Sequence, residues 1–204
     1  LFVRLYEETQ ELNLHIMLDT STSMAQPFPE KRRQALRFAV ALAYLALSAQ
    51  QRVSLYSMSS GVHQELPPLR GQGNIEKVIQ AVMKLKFEGY TDMKRCFEEF
   101  RPSKQRYGII FIISDFFGRE IGSATEAVAR VAAWPGENHF LQIVHPEERL
   151  PEIEGELELT EVETGERRRF WLTKRDVQRY VETFDAFVGN LASECASHSV
   201  DFMQ

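Results

Sequence analysis

Cysteine is scarce in this chain: Cys96 and Cys195 are the two thiols in 204 residues. Both fall in segments that read as helix, and neither has partners at metal-ligand spacing. A disulfide framework is therefore not expected, and two buried free thiols fit a reducing, cytoplasmic compartment. A bilayer-spanning run is missing too. The most apolar window, residues 35–49, is broken by Arg37 and falls short of the ~20 residues a span needs. There is no signal-peptide pattern, no internal repeat and no low-complexity tract. Lys and Arg total 24 against 29 Asp and Glu, a net charge of −5 mixed along the chain. That excludes the basic stripe of a nucleic-acid binder. Walker and G-x-S-x-G motifs are absent, and Gly71-Gln72-Gly73 lacks the spacing of a phosphate loop, so it reads as a turn before a helix. The chain starts at Leu1 without a Met and stops at Gln204 inside a strand-like run. It is expected to be a fragment, with any targeting or membrane-associating segment lying outside it.

What is present is a chain with 44% hydrophobic residues, enough for one sizeable core and one domain over residues 1–204. Residues 1–11 form a lead-in, extended and then acidic. A strand is expected at 12–19, and a two-proline turn at 25–29 delays the helix expected at 30–51. That helix is apolar on nearly every face, as one lying on a sheet would be. Residues 52–57 alternate as a strand. Residues 63–70 make an edge strand because of Pro67-Pro68, and helices are expected at 71–86 and from Thr91-Asp92 onward. Residues 107–113 form the most apolar strand, a β-branched run suited to a parallel strand covered on both faces. A helix at 124–133, a strand at 139–144, an antiparallel hairpin inserted at 154–171, a long helix at 174–197 and a strand at 199–203 complete the chain. Strands alternating with helices predict an α/β domain with a mostly parallel sheet.

The most informative stretch is residues 12–24, an apolar strand running into Asp19-Thr20-Ser21-Thr22-Ser23-Met24. Alternate residues of an extended segment point the same way, so Asp19, Ser21 and Ser23 present three oxygens to one place. Such oxygens suit Mg²⁺ or a similar hard cation, and strand ends are where open α/β sheets present ligand sites. Thr91 lies on a loop after an apolar helix, where its bland reading is a helix cap. Asp115 ends the most apolar strand. If the strands of Asp19 and Asp115 are neighbours, two carboxylates and three hydroxyls from three loops meet at one rim. The reading requires these aspartates on one side of the molecule, with no lysine filling the space between them. Asp92 is expected to serve helix capping and dipole rather than the site. His15 is expected to be a core or sheet-face residue, and Phe116 and Phe117 either pack under the loop or offer contact area. Arg32, Arg33, Arg167, Arg168 and Arg169 read as solvated faces.

In this order D-T-S-T-S, T-D and an apolar strand ending S-D resemble the metal-ion-dependent adhesion site of von Willebrand factor A domains. The lead-in L-F-V-R-L-Y-E-E, then R-V-S-L-Y, L-P-P-L-R-G, G-Y-T-D-M and E-T-G-E look like a bacterial family of unassigned function. Its members are often encoded beside MoxR-type AAA+ ATPases. The resemblance implies a Rossmann-like sheet of order 3-2-1-4-5-6 with one antiparallel edge strand. It also implies Asp19, Ser21, Ser23, Thr91 and Asp115 as ligands of Mg²⁺, Mn²⁺ or Ca²⁺, the hydroxyls touching the metal and at least one aspartate acting through water. Such a site recruits an acidic residue of a protein partner, here a MoxR-type ATPase or its substrate, and needs no catalytic residue. A metal-assisted hydrolase or phosphotransferase is the competing expectation, and it lacks a template. An aspartate nucleophile with a second aspartate two residues on fails because position 21 is Ser. A structural domain whose site stays empty is the third.

Overall fold

The β-branched run at the middle of the chain becomes the centre of a sheet because both of its faces are covered. In the computed structural model, which describes residues 12–102, 108–117, 123–151, 155–160 and 167–204, Ile110, Ile112 and Ile113 of this strand are fully buried. The elements, in chain order, are β1 (Asn13–Asp19), α1 (Pro29–Ser48), β2 (Arg52–Met58), β3 (Val62–Arg70), α2 (Ile75–Lys84) and α3 (Met93–Glu99). They continue as β4 (Gly108–Ser114), α4 (Ser123–Ala132), β5 (Glu137–Gln142), α5 (Pro146–Arg149), β6 (Gly155–Thr160), β7 (Arg167–Leu172), α6 (Lys174–Ser197) and β8 (Asp201–Met203).

Six strands form one sheet in the order β3-β2-β1-β4-β5-β8. Its pairs are parallel except that of β2 with the edge strand β3. This is the sheet that the resemblance implied, with β8 as its sixth strand. The antiparallel pair β6–β7 stands apart as a two-stranded sheet. Period-two alternation divides β1 between two cores. Leu14, Ile16 and Leu18 pack with Ala35, Ala39, Ala43 and Leu47 of α1 and with Val78 and Val82 of α2. Met17 joins Phe97 of α3, Val128 of α4 and Leu191 of α6 on the opposite face. Burying a single such aliphatic side chain is worth roughly 1.5–3 kcal/mol, so the two layers fix the strand order and register.

Several boundaries differ from expectation for local reasons. Pro29 does not delay α1 but starts it, since the first helical position has no N–H to lose. A 3₁₀ turn, Gln72–Asn74, precedes the shorter α2. The turn α5 was not foreseen. It is held by Pro146 at its start and by a reciprocal cap between His145 and Glu148. The lead-in at 1–11 and the hairpin turn at 161–166 lie outside the described residues.

Candidate metal centre

Parallel pairing puts the ends of β1 and β4 side by side, with Leu18 opposite Ile113. Asp19 closes β1 and Asp115 directly follows β4, so both carboxylates arrive at the same rim, and both are 1% exposed. Three loops are sewn together there by backbone bonds. Thr20 N donates to Met58 O of β2, Glu88 N to Thr20 O, Thr22 N to Gly89 O, and Asp92 N to Ser59 O.

Asp19 is the hub. Its Oδ1 accepts from Ser21 N at 2.9 Å and from Thr91 Oγ1 at 2.6 Å, and its Oδ2 accepts from Ser114 Oγ at 2.5 Å. Thr91 is therefore not the cap of α3. Asp92 takes that role, accepting from Arg95 N at 2.9 Å. Ser21 and Ser23 are linked Oγ to Oγ at 3.0 Å. Ser23 and Thr91 are half-buried, so the hydroxyl side is the open side of the cluster.

Asp115 is held differently. Its Oδ1 accepts from Phe117 N at 3.0 Å and its Oδ2 from Lys31 Nζ at 2.8 Å. Lys31 lies in the first turn of α1, is 2% exposed, and also donates to Glu148 Oε1 at 2.7 Å. Lys31 falls near the start of the helix expected at 30–51, and its burial is the main surprise of the site. A lysine does reach the site and occupies Asp115 Oδ2, while Asp19 keeps Ser21, Thr91 and Ser114 as its partners. Ser114, Lys31 and Glu148 were all missed as contributors. The S-D pair at the strand end was the one available hint for Ser114.

Electrostatics match this geometry. Burial, followed by the neighbouring charge of Asp115, raises the Asp19 pKa above the usual carboxylate value, against the hydrogen bonds from Ser114, Thr91 and Ser21. For Lys31, burial alone would favour the neutral amine, but Asp115 and Glu148 outweigh it and hold the ammonium above the ordinary lysine value. His15 packs against Tyr56 and Phe100, and burial lowers its pKa, so it is a sheet-face residue as expected. Phe116 is buried and stacked on Phe140 at 4.7 Å, and Phe117 leans on Phe184 and Phe187. Phe116 takes a positive φ of 60°, a left-handed conformation costing on the order of 1 kcal/mol in a non-glycine residue. It turns the chain sharply just after Asp115.

The donor set fits a hard divalent cation. Among the described residues no three His, Cys, Asp or Glu side chains converge as a metal group. A carboxylate has about four lone-pair positions. Asp19 already uses three and Asp115 two. The Thr91 proton is committed to Asp19, with the Met58 carbonyl 3.2 Å away as a weaker acceptor, so the oxygen lone pairs of Thr91 stay free.

A family model described as "Protein of unknown function DUF58" matches residues 1–186. The chain belongs to this family. Among solved structures, the DUF58 chain is similar to an aerotolerance-related membrane protein from Bacteroides fragilis carrying multiple mutations to serine. Identity there is 16%, TM-score 0.57, and 95% of this chain and 90% of that chain are covered. It is also similar to BatB, a conserved hypothetical protein from Bacteroides thetaiotaomicron, at 16% identity and TM-score 0.48, covering 92% and 98%. A von Willebrand factor type A structure from Catenulispora acidiphila gives 17% identity and TM-score 0.49, covering 65% of this chain and 33% of that one. The first likeness shows a shared fold. A search of curated proteins returned no match. Among the described residues no helix is long and apolar enough to cross a membrane.

Proposed function

We propose that this DUF58 chain is a metal-dependent protein-interaction module. Ser21, Ser23 and Thr91 hold a divalent cation, Mg²⁺ or Mn²⁺, with Asp19 and Asp115 acting through water. The cation supplies a Lewis-acidic position that takes a carboxylate from a partner protein. The observation that carries this reading is the convergence on Asp19. Its oxygens accept from Thr91, Ser114 and the Ser21 amide, which fixes the Thr91 hydroxyl and the start of the Ser21–Ser23 loop beside a buried carboxylate.

The chain's own residues do three things. Asp19 orients the Thr91 lone pairs outward by taking the hydroxyl proton. Met58 O anchors Thr20 Oγ1 at 2.9 Å and keeps the first loop beside β2. Ser23 and Thr91 face solvent and admit the partner. Uncharged hydroxyls leave the cation more positive than an all-carboxylate cage would, which favours an acidic partner residue. No proton transfer is required, and the chain is read as a binder rather than an enzyme. The family resemblance points to a MoxR-type AAA+ ATPase, or its substrate, as the partner, and the buried free thiols suit a cytoplasmic setting.

The test is capture of such an ATPase by the immobilised chain in Mg²⁺ and in chelator. Retention in Mg²⁺ that is lost in chelator, and lost in Thr91→Ala, is the expected result. Retention indifferent to chelator would separate partner binding from the metal and sink the reading.

A further inference from the structure

The metal reading leaves unexplained the buried ammonium that sits on one of its aspartates. Lys31 Nζ bridges Asp115 Oδ2 at 2.8 Å and Glu148 Oε1 at 2.7 Å, with side-chain exposures of 1% for Lys31, 1% for Asp115 and 17% for Glu148. Lys31 is fixed by the first turn of α1, its own N–H donating to Phe28 O at 3.1 Å. Glu148 is fixed by α5, where its Oε2 accepts from His145 N at 2.8 Å and its carbonyl accepts from Tyr180 Oη at 2.5 Å. Neither charge can swing freely into solvent. Lys31 and Glu148 together are neutral, yet the positive end touches Asp115 and the negative end lies one step further away.

We infer that Lys31 and Glu148 act as a buried charge couple that sets the affinity of the candidate cation site through Asp115, Lys31 weakening it and Glu148 strengthening it. The inference rests on the metal reading above and adds to it two residues outside the ligand set. An ammonium hydrogen-bonded to Asp115 withdraws part of that carboxylate's charge from an incoming cation and repels the cation directly. The carboxylate of Glu148 offsets much of this. In a partly desolvated site a unit charge several ångströms away is worth at least tenfold in a binding constant.

The couple also explains why the sign of each substitution is diagnostic. Lys31→Met leaves Asp115 and Glu148 without their cation, so the site becomes more negative. Glu148→Gln leaves the ammonium unopposed and the site less negative. A merely structural ion pair would respond to both changes in the same direction, because each breaks the same contact. An electrostatic role moves them in opposite directions, and the double variant restores the starting balance.

The experiment is titration of the purified chain with Mn²⁺, followed by electron paramagnetic resonance of the free ion, with folding checked by near-ultraviolet circular dichroism. Relative to wild type, Lys31→Met is expected to bind Mn²⁺ about tenfold more tightly and Glu148→Gln about tenfold more weakly. The double variant is expected to fall within about threefold of wild type, because the two opposite shifts are of similar size and cancel. Binding that Asp19→Ala abolishes, but that both single variants shift in one direction or not at all, overturns the charge couple and leaves the site standing. No Mn²⁺ binding in wild type and in Lys31→Met alike overturns the site and this inference together. Should Lys31→Met fail to fold, Glu148→Gln decides, since it keeps a hydrogen-bonding amide in place. An unchanged or tighter constant in that variant refutes the role assigned here.

Discussion

Adding Mg²⁺ should raise the thermal midpoint of this protein, and the size of the rise should depend on pH through Asp19. This carboxylate is 1% exposed, and burial together with Asp115 raises its pKa. A group with a raised folded pKa binds its proton more tightly folded than unfolded. Its contribution is therefore favourable in acid and is lost as pH rises through the folded value. At any pH above its folded pKa the ionised, buried Asp19 costs stability, and a divalent cation beside it removes that cost. At a free concentration about 100 times the dissociation constant, binding stabilises by about 2.7 kcal/mol. For a domain of this size that is roughly 5–11 °C in Tm. Acidification into the range where folded Asp19 takes up its proton should shrink the rise, because proton and cation compete for the same charge. Asp19→Asn should lose most of the rise at every pH. Differential scanning calorimetry with and without Mg²⁺, on both proteins across this pH range, measures all of these. A rise that persists undiminished in Asp19→Asn, or that grows in acid, would refute the reasoning.

Two further outcomes follow from the same contacts. Ser114→Ala removes the donor to Asp19 Oδ2 and the acceptor of Phe116 N at 2.9 Å, both in buried surroundings. Chemical denaturation should show a loss of about 1–3 kcal/mol, and a loss under about 0.5 kcal/mol would mean that the strand end does not need this bridge. Cys96 and Cys195 are fully buried, and burial pushes each thiol up to about 12. Both should resist a thiol-specific disulfide reagent in the native protein at neutral pH and react once it is denatured. Rapid native labelling of either would contradict the packing of the face that holds α3 and α6.

For Lys31 the proposed tuning role and a purely structural one have to be told apart. Breaking a buried pair by removing one partner is costly because the other charge is left without compensation. A strong stability loss in Lys31→Met would therefore say little by itself. A change in cation affinity with a sign set by the charge removed is what distinguishes tuning from support.

The sequence by itself determined most of the elements and the residue types of the candidate site. The apolar run of β4, the alternation of β2, the Pro67-Pro68 edge strand and the stripe of α6 are local patterns, and local physics reads them. Period-two and 3.6-residue spacing and proline chemistry act over a few residues, whereas the extended alternation expected through Ser23 ends at Ser21, because Thr22–Met24 forms a 3₁₀ turn. That Asp19 and Asp115 share a rim was implied by the resemblance, and the parallel pairing of β1 with β4 made it so. Only the tertiary structure decided what each side chain holds. Thr91 had the appearance of a helix cap until the fold carried it 72 residues back to Asp19. Lys31 read as one more basic residue at a helix start until the fold set it against Asp115, 84 residues away, and Glu148, 117 away. Helix propensity does not report the sign of a charge that will later face a residue in another loop. Such pairing is fixed only when sheet order and helix docking bring those loops together.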